Sequence, residues 1–250
     1  MKKQEIDYDT LRKRGFLRSR EEGYFTLRTR MPAGNYNGDH LSKLSEIAKR
    51  FGKGIVHLTV RQGIEVPYIR FDDIENVEKE VKKANILPGA SGARLRATTC
   101  CPGNNWCKKG LINTFSLFDR IENELGIKCG TDLPHKFKIA ISGCPNTCTR
   151  AQSSEIGVHG EVDLSHPQKR IGYRVYLGGC GGRVPRAGFK LDKVYTEKEV
   201  LSLIENVVNF YKNNAKPRQR LALLIEGIGK ENFLKAIGEH IKGGENDKNS

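Results

Sequence analysis

Two close pairs of cysteines restrict the possible fold of this chain, and the group it can bind, more than any other feature of its sequence. Cys101 and Cys107 are separated by five residues, and Cys144 and Cys148 are separated by three. The chain has seven cysteines, an odd number, and its basic first residues are not followed by an apolar segment, so a secreted disulfide framework is not expected. Paired thiols in a reducing compartment favour a bound metal or cluster.

The spacing of these cysteines leaves three interpretations open, namely an iron–sulfur cluster, a structural zinc site and unligated thiols. Thiolates are the ligands that iron–sulfur clusters require. A zinc site with four cysteines usually spaces its close pairs by about two to four residues, so the five-residue gap fits zinc poorly. If Cys144–Cys148 forms a helical turn, both of its sulfurs lie on one face. The spacing favours the cluster.

Apolar periodicity predicts a small α+β unit in the first third of the chain. Strands are expected at 22–31, 55–60 and 64–69, and helices at 39–51 and 73–84. The order strand, helix, strand, strand, helix is typical of a ferredoxin-like unit.

A connector rich in glycine, residues 88–92, leads to the second part of the chain. The elements expected there are a helix at 111–125, strands at 137–142, 155–161 and 172–178, a helix at 196–213, and short helices at 221–226 and 230–241. Thr196 and Glu199 form a capping-box pattern at the start of the long helix. We therefore predict domains at 1–90 and 91–215, followed by a helical tail at 216–250 whose last residues are disordered.

The chain is strongly basic, with 43 lysines and arginines against 29 acidic residues and a formal net charge of +14. Such a charge first suggests nucleic acid, but no recognition motif or array of stacking aromatic residues is found. A site for anions is the alternative. Because no apolar run approaches the roughly 18 residues that a membrane-spanning helix needs, we expect a cytoplasmic protein.

The segments TTCCPGNNWC and KFKIAISGCPNTCTR resemble the signature of sirohaem-dependent sulfite and nitrite reductases, in particular the small, single-copy sulfite reductase type. Four further segments agree with that family, namely LRTRMP at 27–32, TVRQG at 59–63, RATTC at 96–100 and YLGGCGGRVPR at 176–186. The resemblance implies a ferredoxin-like half domain, then an α/β domain that binds sirohaem and a 4Fe–4S cluster, then a helical tail.

The resemblance also implies a role for particular residues. The cluster ligands would be Cys101, Cys107, Cys144 and Cys148, with the sulfur of Cys148 bridging to the sirohaem iron. The adjacent Cys100 is a rival for Cys101, and the family's five-residue gap favours Cys101. Catalytic cations around the substrate would be Arg28, Arg96, Lys136 and Lys138. Residues near the cofactor carboxylates would be Arg30, Arg61, Gln62 and Arg183.

The activity that the resemblance implies is the six-electron reduction of sulfite to sulfide, or of nitrite to ammonia. Lys136 and Lys138 alternate along one expected strand, so both side chains point to the same side, where two cations can meet one anion. Electrons would come from a separate carrier protein such as a ferredoxin. Larger relatives carry two copies of this unit, so a homodimer is expected. The alternative is a non-catalytic iron–sulfur or zinc-binding protein.

Overall fold

The computed structural model describes residues 6–239. The α-helices of this part of the chain are α1 (Tyr8–Lys13), α2 (Gly38–Phe51), α3 (Ile74–Lys83), α4 (Thr114–Asp119), α5 (Glu197–Asn214), α6 (Leu221–Ile228) and α7 (Lys230–Ala236). Its strands are β1 (Phe16–Arg18), β2 (Tyr24–Arg30), β3 (His57–Leu58), β4 (Ile64–Arg70), β5 (Leu87–Pro88), β6 (Thr99–Cys100), β7 (Ile139–Ser142), β8 (Ile156–Val162), β9 (Ile171–Leu177) and β10 (Phe189–Lys190).

The first sheet is antiparallel and has the order β1-β2-β4-β3, with β5 paired to the end of β2. Strand β2 alternates between buried and half-buried residues, because one face of the sheet packs on α2 and α3. Helix α2 begins at Asn37, whose side chain accepts the amide of His40, while the His40 ring accepts the amide of Asn37. These elements enclose one hydrophobic core.

The second sheet has the order β10-β9-β8-β7-β6. Strands β6, β7 and β8 run parallel to one another, whereas β9 and β10 are antiparallel additions. All four residues of β7 are buried, as expected for a central strand covered on both faces. The two parallel strands β6 and β7 both end directly before a cysteine loop, so the sheet brings the two cysteine pairs to one edge.

A second hydrophobic core joins this sheet to the helices that follow it. Helix α5 begins with the expected capping box between Thr196 and Glu199. Helices α6 and α7 contribute Leu221, Phe233 and Leu234 to the same core. The α+β class and the helical tail are thereby confirmed, while the expected disorder of the last residues lies outside the described part of the chain.

The strand expected at 137–142 begins only at Ile139, the helix expected at 230–241 ends at Ala236, and two further elements also differ from the sequence expectation. The strand expected at 55–60 is reduced to His57–Leu58, since it pairs only with β4 and lies at the edge of the sheet. The helix expected at 111–125 begins at Thr114 and changes into a π-helical turn at Arg120–Glu124. That turn carries the buried carboxylate of Glu122.

None of the helices within residues 6–239 is both long and apolar enough to cross a membrane.

Candidate functional site

The two cysteine loops, residues 101–107 and 144–148, approach each other through backbone contacts at glycine. The amide of Gly143 donates a hydrogen bond to the Sγ of Cys101 at 3.0 Å. A Cβ added to Gly143 would lie 2.6 Å from the Cα of Gly103, and one added to Gly110 would lie 2.2 Å from the carbonyl carbon of Gly103. Only glycine allows such an approach. The contact of Gly143 with Gly103 therefore sets the distance between the two loops, and the contact of Gly110 with Gly103 closes the first loop on itself.

The four candidate ligands differ in exposure. Cys101 and Cys144 are half-buried, whereas Cys107 and Cys148 are exposed. The segment Cys144–Cys148 is a series of turns and not the helical turn that the three-residue gap suggested. Thr147 has a φ of 45°, a left-handed value that a right-handed helix does not contain. The sulfurs are thus placed by a turn.

The adjacent Cys100 occupies a different environment from Cys101. Its side chain is 2% exposed and belongs to the second hydrophobic core. Burial raises the pKa of the Cys100 thiol well above its usual range, and the nearby Cys101 adds to this effect. A thiol that resists ionisation is a poor metal ligand. This environment supports Cys101 as the first ligand.

Within residues 6–239, no three histidine, cysteine, aspartate or glutamate side chains come close enough together to bind a single metal ion. A cubane cluster holds its thiolates at separate corners, so it needs its ligands around a larger volume than one ion does. Four thiols lie on two adjoining loops, and an amide already donates to one of the sulfurs. The donor set fits an iron–sulfur cluster.

Gln62 ties the ferredoxin-like half to the first cysteine loop. Its amide nitrogen donates to the carbonyl oxygen of Cys100 at 2.6 Å, and its amide oxygen accepts the N–H of Cys100 at 2.8 Å. Gln62 has a φ of 60°, and Gly34 makes room for it, since a Cβ on Gly34 would lie 2.8 Å from the Cβ of Gln62. Both ends of the amide are therefore engaged by the backbone next to Cys101.

Replacement of Gln62 by leucine is expected to destabilise the protein, because two backbone groups of Cys100 lose their partners. An unsatisfied buried group costs about 1–3 kcal/mol. For a chain of this size, about 2 kcal/mol corresponds to a fall of roughly 4–8 °C in Tm. Thermal unfolding of the protein purified without oxygen measures the change, with the exposed Gln168→Leu as the matched control. Equal Tm values for the two variants would contradict the role of this contact.

Two of the expected substrate cations, Arg28 and Arg96, lie close together where the halves meet. Arg28 pairs with Glu65, with its Nε 2.8 Å from the carboxylate. Arg96 donates to the carbonyl oxygens of Ala90 and Gly92, both at 3.0 Å. Burial lowers the pKa of Arg96, and the nearby charge of Arg28 lowers it further. The two cations thus come from different halves and repel each other.

Arg61 belongs to the same cationic group. Burial lowers its pKa to about 10, Glu155 opposes this change, and Arg96 adds to it. Its guanidinium donates to the carbonyl oxygen of Ala97. Four buried polar side-chain atoms within residues 6–239 have no hydrogen-bond partner: Arg61 Nε, Ser91 Oγ, Arg96 Nε and Thr98 Oγ1. Arg61 and Arg96 supply two of these atoms, Thr98 lies two residues after Arg96, and Ser91 lies between the two residues whose carbonyl oxygens bind Arg96. Such orphaned polar atoms are expected where a ligand or water is bound.

Lys136 and Lys138 flank the fully buried Phe137 and are both half-buried. They lie just before β7, which begins at Ile139, and the shared direction expected for their side chains stays a prediction. The Nζ of Lys138 donates to the carbonyl oxygen of Ser153 at 3.0 Å. Lys136 is half-buried and makes no hydrogen bond or ion pair with another described residue. Its amine therefore remains available to an anion.

The structure places two of the expected cofactor residues, Arg30 and Arg183, in contrasting settings. Arg30 is paired with the buried Glu122, at 2.9 and 3.2 Å from its two oxygens. The π-helical turn presents that carboxylate, and such turns often occur at functional sites. Arg183 is exposed in the loop that follows β9. Contact of either residue with a cofactor stays a prediction.

Sequence reasoning missed a buried ion pair beside Lys138. Glu155 is 0% exposed and pairs with Arg220, whose Nε lies 2.8 Å from its carboxylate. The only sequence signal was a single acidic residue at the start of the strand expected at 155–161. Its partner lies 65 positions away, at the start of α6, so no local pattern identifies the pair.

Comparison with known families agrees with this arrangement. The model of the nitrite and sulphite reductase 4Fe–4S domain matches residues 91–243, and that of the nitrite/sulfite reductase ferredoxin-like half domain matches residues 18–84. The first match covers more than half of the chain, so the protein belongs to the nitrite and sulphite reductase family. The resemblance seen in the sequence is confirmed. The exact domain limits at 90 and 215 stay a prediction.

Individual relatives differ greatly in length. The coenzyme F420-dependent sulfite reductase of Methanocaldococcus jannaschii is 29% identical over 91% of this chain, which spans 44% of that protein. The nitrite reductase [NAD(P)H] of Emericella nidulans is 30% identical over 86% of this chain, which spans 19% of it. The chain thus spans less than half the length of these relatives. By contrast, it covers 97% of the assimilatory-type sulfite reductase of Nitratidesulfovibrio vulgaris, at 25% identity.

A crystal structure of dissimilatory sulfite reductase I shares this fold, with a TM-score of 0.76 and 16% identity over 90% of this chain and 72% of that one. At this identity the likeness concerns the fold alone. It confirms the ferredoxin-like half and the second α/β unit as one known architecture.

Proposed function

We propose that this protein is a reductase that converts sulfite to sulfide, or nitrite to ammonia, at a sirohaem held beside a 4Fe–4S cluster. The observation that supports the proposal is a group of cations where the ferredoxin-like half contacts the second α/β unit. Arg28, Arg61 and Arg96 lie there with orphaned buried donors, directly beside the first cysteine loop. Sirohaem carries many carboxylates and both substrates are anions, so one cationic cleft suits all of them.

The cluster ligands in this proposal are Cys101, Cys107, Cys144 and Cys148, with Cys148 facing the sirohaem. When bound, the two cofactors supply single electrons and an open iron position for the substrate. The protein itself supplies charge and shape. Arg61 has an Nε without a partner that can meet a cofactor carboxylate, while Arg28, Arg96, Lys136 and Lys138 are the cations assigned to the oxyanion.

The amines of the two lysines have a second task in the proposed reaction. Each oxygen removed from the substrate must leave with protons, and an ammonium group can donate one at the place where negative charge develops. Lys136 has no partner among the described residues, and Lys138 is bound only by a carbonyl oxygen. Both can therefore turn toward an anion without breaking an ion pair.

Electrons in this proposal come from a separate carrier protein such as a ferredoxin. Cys107 is exposed, so its side of the ligand set faces solvent. Next to Cys107 lie the exposed side chains of Lys108 and Lys109, which suit an acidic carrier. The homodimer that the resemblance suggested stays a prediction, and sedimentation of the active protein would measure it.

An absorption spectrum of protein purified without oxygen tests the proposal. We expect sirohaem bands together with about five irons and about four acid-labile sulfides per chain. Sulfite and nitrite are then compared as substrates, with reduced methyl viologen and a reduced ferredoxin as donors. A colourless protein that contains zinc, or a cluster protein that takes up no sirohaem, would reject the enzyme and support the non-catalytic alternative.

A further inference from the structure

Both backbone groups of Lys138, its N–H and its carbonyl oxygen, form hydrogen bonds with residues at the start of β8. Its N–H donates to the carboxylate of Glu155 at 2.9 Å, and its carbonyl oxygen accepts the N–H of Ile156 at 3.2 Å. Its side-chain amine donates to the carbonyl oxygen of Ser153, two residues before Glu155. The segment 153–156 therefore determines both where the backbone of Lys138 lies and where its amine points.

Glu155 is a buried carboxylate among cations. Burial raises its pKa, while the charges of Arg220 and Lys138 oppose that rise. The guanidinium of Arg220 binds the carboxylate through two nitrogens and reaches toward the carbonyl oxygen of Gly181 at 3.4 Å. Without Arg220, an ionised carboxylate at this position would be strongly unfavourable. Arg220 therefore keeps Glu155 ionised.

The amine of Lys138 lies in an environment that disfavours its charge. Burial lowers its pKa, and Arg220 and Arg61 lower it further, whereas Glu155 and, to a smaller extent, Cys180 raise it. Glu155 is the larger of the two charges that oppose the fall. Among the groups that face this amine, Glu155 is thus the one best placed to keep it protonated.

We propose that Glu155, held ionised by Arg220, is a positioning residue for Lys138: it fixes the backbone of Lys138 and supplies the counter-charge that keeps the amine an ammonium ion in the cleft. The proposal rests on the proposed function in assigning Lys138 to the oxyanion. It also gives the C-terminal tail a part in the site, because Arg220 is the N-cap residue of α6. Glu155 itself does not touch the substrate in this arrangement.

The test is the variant Glu155→Gln, in which the amide oxygen can still accept the N–H of Lys138 but the negative charge is gone. Competitive labelling of the purified holoenzyme with acetic anhydride, read by mass spectrometry, gives the pH at which each amine loses its proton. We expect the midpoint for Lys138 to fall by about one pH unit, the usual effect of one nearby charge. The midpoint for Lys136 should not move and serves as the internal control.

A second variant separates charge from folding. In Glu155→Gln/Arg220→Met the carboxylate and its opposing cation are both removed, a change that buried ion pairs often tolerate. The Lys138 midpoint should then return toward the wild-type value, because the cation that disfavours the ammonium ion has also gone. Loosening of the fold would raise the midpoint in both variants, because burial is the largest cause that lowers the Lys138 pKa. It would therefore not produce a fall in Glu155→Gln followed by a return in the double variant.

The outcomes distinguish this proposal from the proposed function. A Lys138 midpoint that is unchanged in Glu155→Gln, or an amine that the reagent never reaches, overturns the positioning role. If the midpoint falls, the alkaline limb of the kcat/KM profile for sulfite or nitrite should fall with it; a shifted midpoint with an unmoved limb overturns the link to the reaction. Absence of reductase activity in the wild-type protein would reject the proposed function, while the labelling result would still decide the effect of Glu155 on Lys138.

Discussion

Replacement of Cys101 by alanine is expected to leave the purified protein almost without cluster, whereas Cys100→Ala is expected to keep it. The Sγ of Cys101 lies 3.0 Å from the amide of Gly143, at the contact between the two cysteine loops. The thiol of Cys100 is 2% exposed and packs in the hydrophobic core. Cys100 is the last residue of β6, and Cys101 follows it with its N–H still bonded to the carbonyl oxygen of Ile141 in β7. Side chains alternate along extended chain, so only one of the two thiols can face the second loop.

Iron and acid-labile sulfide assays on protein purified without oxygen would measure this difference, together with the absorption of the cluster. The two variants carry the same substitution in adjacent positions, so each is the matched control for the other. Cys129→Ala is a further control, since Cys129 is half-buried outside both loops. Retention of the cluster in Cys101→Ala together with its loss in Cys100→Ala would show that the ligand assignment is wrong.

The second large effect is expected for the lysines of the cleft. Lys138→Ala and Lys136→Ala should each lower turnover of the oxyanion about 10²–10³-fold, the usual cost of removing one group that stabilises developing charge. The cofactor spectrum should remain nearly intact, because neither lysine is assigned to the cluster or to the carboxylates of the macrocycle. Lys138→Arg should recover part of the rate, since it keeps the charge but changes the shape and proton donation.

The exposed Lys128→Ala serves as the control for the loss of one positive charge and should react near the wild-type rate. Turnover is measured with reduced methyl viologen at saturating sulfite or nitrite, and the spectrum is recorded on the same samples. If Lys138→Ala lost the sirohaem bands, Lys138 would be a cofactor ligand and its substrate role would be refuted.

Local sequence patterns predicted most of the secondary structure. Strand β2 and helix α2 follow from apolar residues spaced by two and by three to four positions, and the capping box identified the start of α5. Those patterns indicate which face of a helix or strand is buried, because its buried residues recur at a regular spacing within that one element. The edge strand β3 was expected to be longer, because an apolar run does not reveal whether a second strand is present to pair with it.

The candidate site also has one part that local sequence predicts and another that depends on contacts between distant segments. The cysteine spacing and the segments that resemble the family are enough to predict the cluster and the cations. They do not predict the partners of those residues: Glu122 binds Arg30 from 92 positions away, and Gln62 binds the backbone of Cys100 from 38 positions away. Each is an ordinary polar residue in its own segment, and only the packing of the two halves gives it a partner.

The sequence by itself determined the family, and it predicts the cluster ligands and the basic character of the cleft, because cysteine spacing and charge follow directly from the order of the residues. The tertiary structure alone decided which thiol of the pair Cys100 and Cys101 is buried, and that Glu155 faces Lys138 with Arg220 behind it. The physical reason is that burial and ion pairing depend on distances between segments far apart in the chain. The folded sheet and helices set those distances.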